Sequence, residues 1–420
     1  MNIKNIYNIY LLHPNICIDS RKIKPNSIFF GIKGDFYNGN KFAKQAIENG
    51  CYYAVIDDPE YESKNCILVK DSIKVLQELA KFHREQLKIP IIGITGSNGK
   101  TTTKELINIT LSSSKRTYST KGNLNSQIGV ALSILEINQK HEIAVIEMGA
   151  NKLGEIKKLC EITRPTHGII TNIGKAHLEG FGNINAIIKE KTELYKFLLK
   201  NQGIIFVNND DKLLIKESKK NNIIRYGKKD NLEYSAKINN IFPFVSIVKD
   251  NKIINSNLVG EFQYYNILSA CCIADHFNIH LSKIKKSIEL YIPKNNRTEI
   301  VKTKNNDIIL DAYNANPSSV KQMITYFSRL DKDNKICILG EMRELGKYSN
   351  KEHKFIIDYI ENLNLDAIFI GKDFNKIQSN NTFTSVSNFI KNIDEYNLKN
   401  KTILIKGSRG LQLEKLINYL

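Results

Sequence analysis

Residues 89–106 read IPIIGITGSNGKTTTKEL, an apolar run to Ile94 that passes through two glycines into a basic, hydroxyl-rich segment. The apolar run has the length of a buried strand. A strand that enters a loop bearing Gly96 and Gly99 and leaves it at Lys100 and Thr101 has the layout of a phosphate-binding loop. The glycines let backbone N–H groups turn onto a polyphosphate, Lys100 reaches its outer oxygens, and Thr101 offers a hydroxyl to Mg²⁺. The helix starting there directs its positive dipole end at the anion. Thr95, Gly96, Ser97, Asn98, Gly99, Lys100, Thr101 and Thr102 are therefore candidate nucleotide contacts. Ile94 stands where the eight-residue form has glycine, so the match is the shorter GxxGKT form, and an ordinary glycine-rich strand-to-helix turn is the alternative. The loop says that ATP or GTP is held, not what is done with it.

Outward from this loop, strand and helix signals alternate, with strands read at 143–146, 168–171 and 203–207. That rhythm predicts a parallel sheet with helices on both faces, whose ligands lie beyond the carboxyl ends of the strands. Glu147 directly follows one strand, where a nucleoside triphosphatase keeps a carboxylate for Mg²⁺. Asn172 and His177 follow the next. NINAIIKEKTELYKFL (183–198) predicts one amphipathic helix, on which spacing alone makes Lys189 and Lys191 solvated. His276 and His280 could share a helix face, but with no third ligand nearby a metal is not expected there.

Upstream, to about Lys88, strands are expected at 27–32 and 52–56, with a helix over 42–49 stopped by Gly50 and an amphipathic helix over 71–88. The polar loop residues Ser20, Arg21, Lys33, Asp35 and Asn40 read as solvated surface. Downstream of about Tyr291, four strands end in polar or charged groups: IILDAYNANPSSV, KICILGEMRELG, DAIFIGK and KTILIKGSRG. The fold class is α/β in three domains, with expected boundaries of 1–88, 89–294 and 295–420.

The chain has 420 residues, 42% hydrophobic and 25% charged, ordinary for a soluble globular protein. Its 61 Lys+Arg against 43 Asp+Glu give +18, which would suit a nucleic-acid binder. The excess is diffuse, however, without a basic stripe carrying aromatics, and no nucleic-acid partner is expected. Seven cysteines without a CxxC spacing read as reduced, buried thiols of a cytoplasmic protein. No apolar run reaches the roughly 18 residues of a membrane span, and stable membrane insertion is not expected.

TGSNGKTT, TKGNLNSQIG, IEMGAN, TNIGKAHLEGFG, DAYNANPSS, LGEMRELG and KGSRG resemble, in this order and over essentially the whole chain, the motif series of the Mur ligases. DAYNANP is the most discriminating piece and is nearest to the members that add D-alanyl-D-alanine. The resemblance implies a three-domain enzyme: a small α/β domain for a UDP-sugar, a central P-loop ATPase domain and a C-terminal Rossmann-like domain. It implies an acyl phosphate made from ATP and UDP-MurNAc-tripeptide, which the amine of D-Ala-D-Ala then attacks. Among residues, it implies Thr101 and Glu147 as partners of the Mg²⁺ on the triphosphate, His177 as ligand of a second Mg²⁺, and Lys191, against its solvated reading, as a carbamylated lysine near that second metal. Asn266 is implied at adenine, Arg297 near the phosphates and Asp311 at the ribose. Tyr313, Asn314 and Asn316 fall near the reacting groups, with Asn123 and Asn125 of TKGNLNSQIG also at substrate. Ser20, Arg21, Lys33, Gly34 and Asn40 resemble the nucleotide-sugar contacts. Gln263, Asn296, Asn40 and Glu341 depart from the family's usual Asn, Gly, His and Asp. The expected assembly is a monomer. A sister amide ligase with another acceptor and a nucleic-acid-stimulated ATPase are the competing readings.

Overall fold

The computed structural model describes residues 2–218, 222–377 and 380–420. Sheets with their own helices follow one another along the chain. The first has four parallel strands in the order Asn15–Cys17, Ser27–Phe30, Cys51–Ile56, Cys66–Leu68. Ser27–Phe30 is buried at every position, as a parallel strand covered on both faces must be. The expected helix over 42–49 is shorter, Ala43–Glu48, because the preceding residues Gly39–Phe42 form a tighter turn. Helix Ser72–Gln86 starts at Asp71, whose carboxylate accepts the Lys74 N–H at 2.8 Å. It lies across helices Gln127–Leu135 and Glu155–Thr163 of the next unit.

The second unit is a seven-stranded parallel sheet. Ile91–Thr95 sits inside it, with Ile143–Glu147 on one side and His167–Ile170 on the other. Ile91, Ile92 and Ile94 are fully buried, each contributing roughly 1.5–3 kcal/mol by leaving water. The chain runs from Ile91–Thr95 out to Thr117–Ser119, back to Ile143–Glu147 and then across to His167–Ile170. The strand order therefore reverses around the phosphate loop, and the crevice opens at such a switch point. The sequence 183–198 forms two helices, Ile184–Lys191 and Glu193–Lys200, broken at Thr192. An unexpected antiparallel sheet, Lys237–Asn240, Ser246–Lys249 and Lys252–Asn255, follows. Its four-residue strands are too short and polar to stand out by pattern.

The third unit is built on a six-stranded sheet, ordered Glu299–Lys302, Asp307–Asp311, Thr402–Lys406, Lys335–Gly340, Asp366–Ile370, Thr382–Phe383. All pairs but the first are parallel. Asp311, Lys406 and Gly340 thus end neighbouring strands on one edge. No helix among the described residues is long and apolar enough to cross a membrane. All seven cysteines are free thiols; six are buried and Cys66 is half-buried, short of the expected full burial.

Candidate active site

The phosphate loop departs from strand Ile91–Thr95 into helix Lys100–Ser112, in which three threonines follow Lys100. β-Branched residues are weak helix starters, but Thr101, Thr102 and Thr103 are buried, and the helix packs on helix Gln263–His276, so tertiary contact holds it. Gly99 precedes it at φ +78 and supplies no side-chain cap, which leaves the first-turn N–H groups facing the cleft. Gly96 has φ +146, and a Cβ there would lie 2.0 Å from Thr171 Oγ1, so no other residue fits.

A cleft of ≈710 Å³ lies over this loop. From the central domain it receives Ser97 to Thr102, Asn123, Asn125, Glu147, His177 and Asn266; from the third domain, Arg297, Asp311, Tyr313 and Asn314. The structure thus brings these expected residues of both domains together in one place. Thr95 and Gly96 lie beneath the lining.

Glu147 is 2% exposed. Its Oε1 accepts from Asn125 Nδ2 at 2.8 Å and Thr101 Oγ1 at 3.2 Å, while its buried Oε2 has no hydrogen-bond donor. A buried carboxylate oxygen left bare is costly. A hard divalent cation beside the Thr101 hydroxyl would satisfy it, so the donor set fits Mg²⁺. Lys100 Nζ donates to the Gly96 and Ser97 carbonyls at 2.7 and 3.1 Å. Burial pushes its amine below the usual value; Glu147 opposes this and Arg297 adds to it. His177 Nδ1 lies 2.5 Å from Glu344 Oε2 without hydrogen-bond geometry, which leaves Nε2 as the nitrogen not turned to Glu344. The same contact holds the Glu344 carboxyl below its usual range.

Lys191 overturns its solvated reading, for it is 1% exposed, whereas Lys189 is exposed as expected. Its Nζ donates to the Ala150 carbonyl at 3.4 Å and sits 5.7 Å above the Phe181 ring. Burial, reinforced by the Lys100 charge, brings its amine down to about 7. The neighbouring Glu190, also buried, accepts from the Gly154 and Ile156 N–H groups at 2.6 Å each and so fixes the loop that carries Ala150.

In the third domain, the Arg297 guanidinium is 3.6 Å and that of Arg409 5.0 Å from the Tyr313 ring centre. Asp311 Oδ2 pairs with the buried Lys406 Nζ at 2.6 Å, and Lys406 also donates to the Asn314 carbonyl at 3.1 Å. Asn266 receives Thr103 Oγ1 at 3.1 Å and donates to Gln263 Oε1 at 2.7 Å. This places it against the phosphate loop, where a Cβ on Gly99 would meet it at 2.8 Å.

Two expected contact residues are placed otherwise. Asn316 is 5% exposed and outside the lining; its side chain caps helix Pro317–Ser328 and donates to Asn98 Oδ1 at 2.7 Å. Asn40, read as solvated surface, is fully buried. It donates to Asn38 Oδ1 and Asp57 Oδ1 at 2.8 and 2.7 Å and accepts the Asp57 N–H at 3.1 Å, so it braces the hairpin Lys33–Asn38 from behind. Lys33 and Gly34 on that hairpin are exposed, as is Arg21, which pairs with Asp19 at 2.9 Å; Ser20 is half-buried. These four lie apart from the ≈710 Å³ cleft. His276 and His280 do not form a pair: His280 caps the next helix through Ser282, and His276 meets His167 at 3.3 Å. Among the described residues no group of three or more His, Cys, Asp or Glu is placed to hold a metal ion.

Glu344 and Ser318 were not singled out by the sequence; each acts on a partner more than 160 residues away, a distance no local pattern spans.

Comparison with known proteins follows the same division of the chain. Family models described as "Mur ligase family, catalytic domain", "Mur ligase middle domain" and "Mur ligase, glutamate ligase domain" match residues 14–84, 94–274 and 296–409. The UDP-N-acetylmuramoyl-tripeptide--D-alanyl-D-alanine ligase of Borreliella burgdorferi is 34% identical over 99% of this chain and 95% of its own length. The enzyme of the same name from Bacillus subtilis is 30% identical over 98% and 93%. The crystal structure of MurF from Acinetobacter baumannii matches with a TM-score of 0.86 and 28% identity over 97% of this chain and 93% of that one. MurF ligase from Thermotoga maritima in complex with ADP matches with a TM-score of 0.84 and 26% identity over 97% of both. With sheet order, cleft and end-to-end similarity in agreement, the chain belongs to the Mur ligase family.

Proposed function

We propose that the protein joins D-alanyl-D-alanine to UDP-N-acetylmuramoyl-tripeptide at the expense of ATP, through an acyl phosphate, to give the pentapeptide precursor of peptidoglycan. The observation that carries this reading is the cleft in which the phosphate loop and the buried Glu147 face Asp311–Asn314 of the DAYNANP segment. The proposed domains are 1–88 for the UDP-sugar, 89–294 for ATP and 295–420 for closing the cleft. One chain supplies every cleft wall, which supports a working monomer.

Two anions must meet in this reaction, a carboxylate and a triphosphate. Lys100 is proposed to screen their charge, Thr101 and Glu147 to hold the Mg²⁺ of the triphosphate, and His177, through Nε2, to hold a second Mg²⁺. The cation would neutralise charge on the phosphate oxygens. Loop N–H groups orient the γ-phosphate for in-line attack, and the amine then displaces phosphate from the acyl carbon. Holding the reactants in line can contribute about 7–11 kcal/mol, so assembling walls from two domains belongs to the catalysis. Asn266 is proposed beside adenine, Asp311 with Lys406 at the ribose, Arg297 near the phosphates, and Asn123, Asn125, Tyr313 and Asn314 along the substrate. Ser20, Arg21, Lys33 and Gly34 are proposed to meet the nucleotide-sugar, with Asn40 acting behind them. At about 7, the Lys191 amine is in large part neutral at physiological pH. The neutral amine is the form that adds to CO₂ and loses a proton to become a carbamate, which supports carbamylation.

Phosphate release with ATP and Mg²⁺ tests the proposal when the two peptide substrates are added separately and then together. Release that needs both supports it. Release indifferent to both but stimulated by DNA or RNA would replace it.

A further inference from the structure

The tip of the phosphate loop is tied to the third domain by a closed ring of three side chains. Asn98 Nδ2 donates to Ser318 Oγ at 3.1 Å, Ser318 Oγ donates to Asn316 Oδ1 at 2.8 Å, and Asn316 Nδ2 donates to Asn98 Oδ1 at 2.7 Å. Each donor in the ring is also an acceptor, an arrangement in which hydrogen bonds polarise and strengthen one another. The ring spans 220 positions of sequence and joins two domains. Asn98 is held from the other side too: its N–H donates to Asn172 Oδ1 at 3.1 Å, and its carbonyl accepts from Thr171 Oγ1 at 2.6 Å and Asn172 Nδ2 at 2.9 Å. The Asn98 side chain can therefore complete the ring only when the loop holds this one conformation, in which the Ser97 N–H also donates to the Asn172 carbonyl at 2.9 Å and the uncapped N–H groups are those of the first turn after Gly99.

We propose that Asn98, Asn316 and Ser318 are positioning residues that couple docking of the third domain to the nucleotide-binding conformation of the phosphate loop. Asn316 and Ser318 do not line the cleft, so they act on the nucleotide through Asn98. Coupling of this kind is reciprocal: whatever factor docking adds to nucleotide affinity, nucleotide adds to docking. The inference rests on nucleotide binding at the loop, as proposed above, and is independent of which amine is joined.

The test is calorimetric titration of ADP with Mg²⁺ into the full chain and into Asn98→Ala, Ser318→Ala, Asn316→Ser and the Asn98→Ala/Asn316→Ser double variant. Serine at 316 keeps a good helix cap but is too short to reach Asn98. The expected result is that Ser318→Ala and Asn316→Ser each weaken ADP about five- to tenfold, the scale of one lost internal hydrogen bond. The double variant should bind no worse than Asn98→Ala alone, as members of one ring do not add. Thermal melts separate this from damage to the cap, because Ser318→Ala leaves the Asn316 cap intact and must still weaken ADP. Single variants within twofold of the parent, or a double variant whose loss is the product of the singles, overturn the coupling. A parent chain that binds no ADP overturns the nucleotide reading and the coupling with it.

Discussion

The two joints between domains are built from different materials. At the first, helix Ser72–Gln86 buries Leu76, Leu79 and Ala80 completely and lies against helices Gln127–Leu135 and Glu155–Thr163. Polar groups there are sealed in: Tyr10 OH donates to the Leu135 carbonyl, His83 Nε2 lies 2.7 Å from the Ile137 carbonyl, and Arg84 donates to the carbonyls of Thr163, Arg164 and Leu87. At the second joint most contacts are polar: the asparagine–serine ring, Lys175–Glu352 at 2.6 Å, Tyr348 OH to the Gly182 carbonyl at 2.8 Å, and His177 against Glu344, beside one stacked ring pair, Phe242 and Tyr326 at 5.2 Å. Separating apolar surfaces costs free energy in proportion to area, whereas water replaces most of an exposed hydrogen bond at a net cost of about 0.5–1.5 kcal/mol. The first joint is thus part of the core and the second is a latch. The cleft that must admit and release substrates lies at the latch.

The sharpest way to break this contrast is a pair of substitutions read in two assays. Lys100→Ala, at the latch side, should lower turnover by at least about 10³-fold while leaving the melting midpoint nearly unchanged, because it removes charge screening in the transition state. Activity within a few fold of the parent would refute the loop assignment. Leu79→Ala, at the first joint, should show the reverse, with stability in urea falling by about 2–5 kcal/mol and little change in ADP affinity. A Leu79→Ala chain as stable as the parent would mean that the first joint is not core.

A smaller effect follows from His83, whose folded pKa burial pushes below its ordinary 6.5. As pH falls below 6.5 the unfolded chain takes up the proton first, so stability is present above that value and declines in acid. His167, brought to about 4, has the same sign. Melting midpoints should therefore fall between pH 7 and 5, and His83→Gln should shallow that slope. An unchanged slope would show that the first joint tolerates a charged imidazole.

The sequence shows the first joint and the latch unequally, for physical reasons. The helix over 71–88, the loop at 95–102 and the strand ends at Glu147, Asp311 and Lys406 all follow from local periodicity and from chemistry at a strand's carboxyl end. The structure places them nearly as expected. The burial of Lys191 had a usable signal: it lies four residues after Ile187 and three before Leu194, on the apolar stripe of its helix pair. The strong prior that lysine is solvated hid that signal. The latch had none, because Asn98 and Asn316 meet only through the assembled fold, and asparagine near glycine or proline reads locally as a turn or a cap. Asn316 is such a cap and a bridge at once.

The most direct measurement follows the oxygen atoms. UDP-MurNAc-tripeptide labelled with ¹⁸O in its terminal carboxylate, incubated with ATP, Mg²⁺, D-Ala-D-Ala and the protein, should transfer one labelled oxygen to each phosphate released. The other oxygen should stay in the new amide, because the carboxylate oxygen that attacks phosphorus leaves with it. Unlabelled phosphate, with both heavy oxygens still on the tripeptide, would contradict an acyl-phosphate ligase.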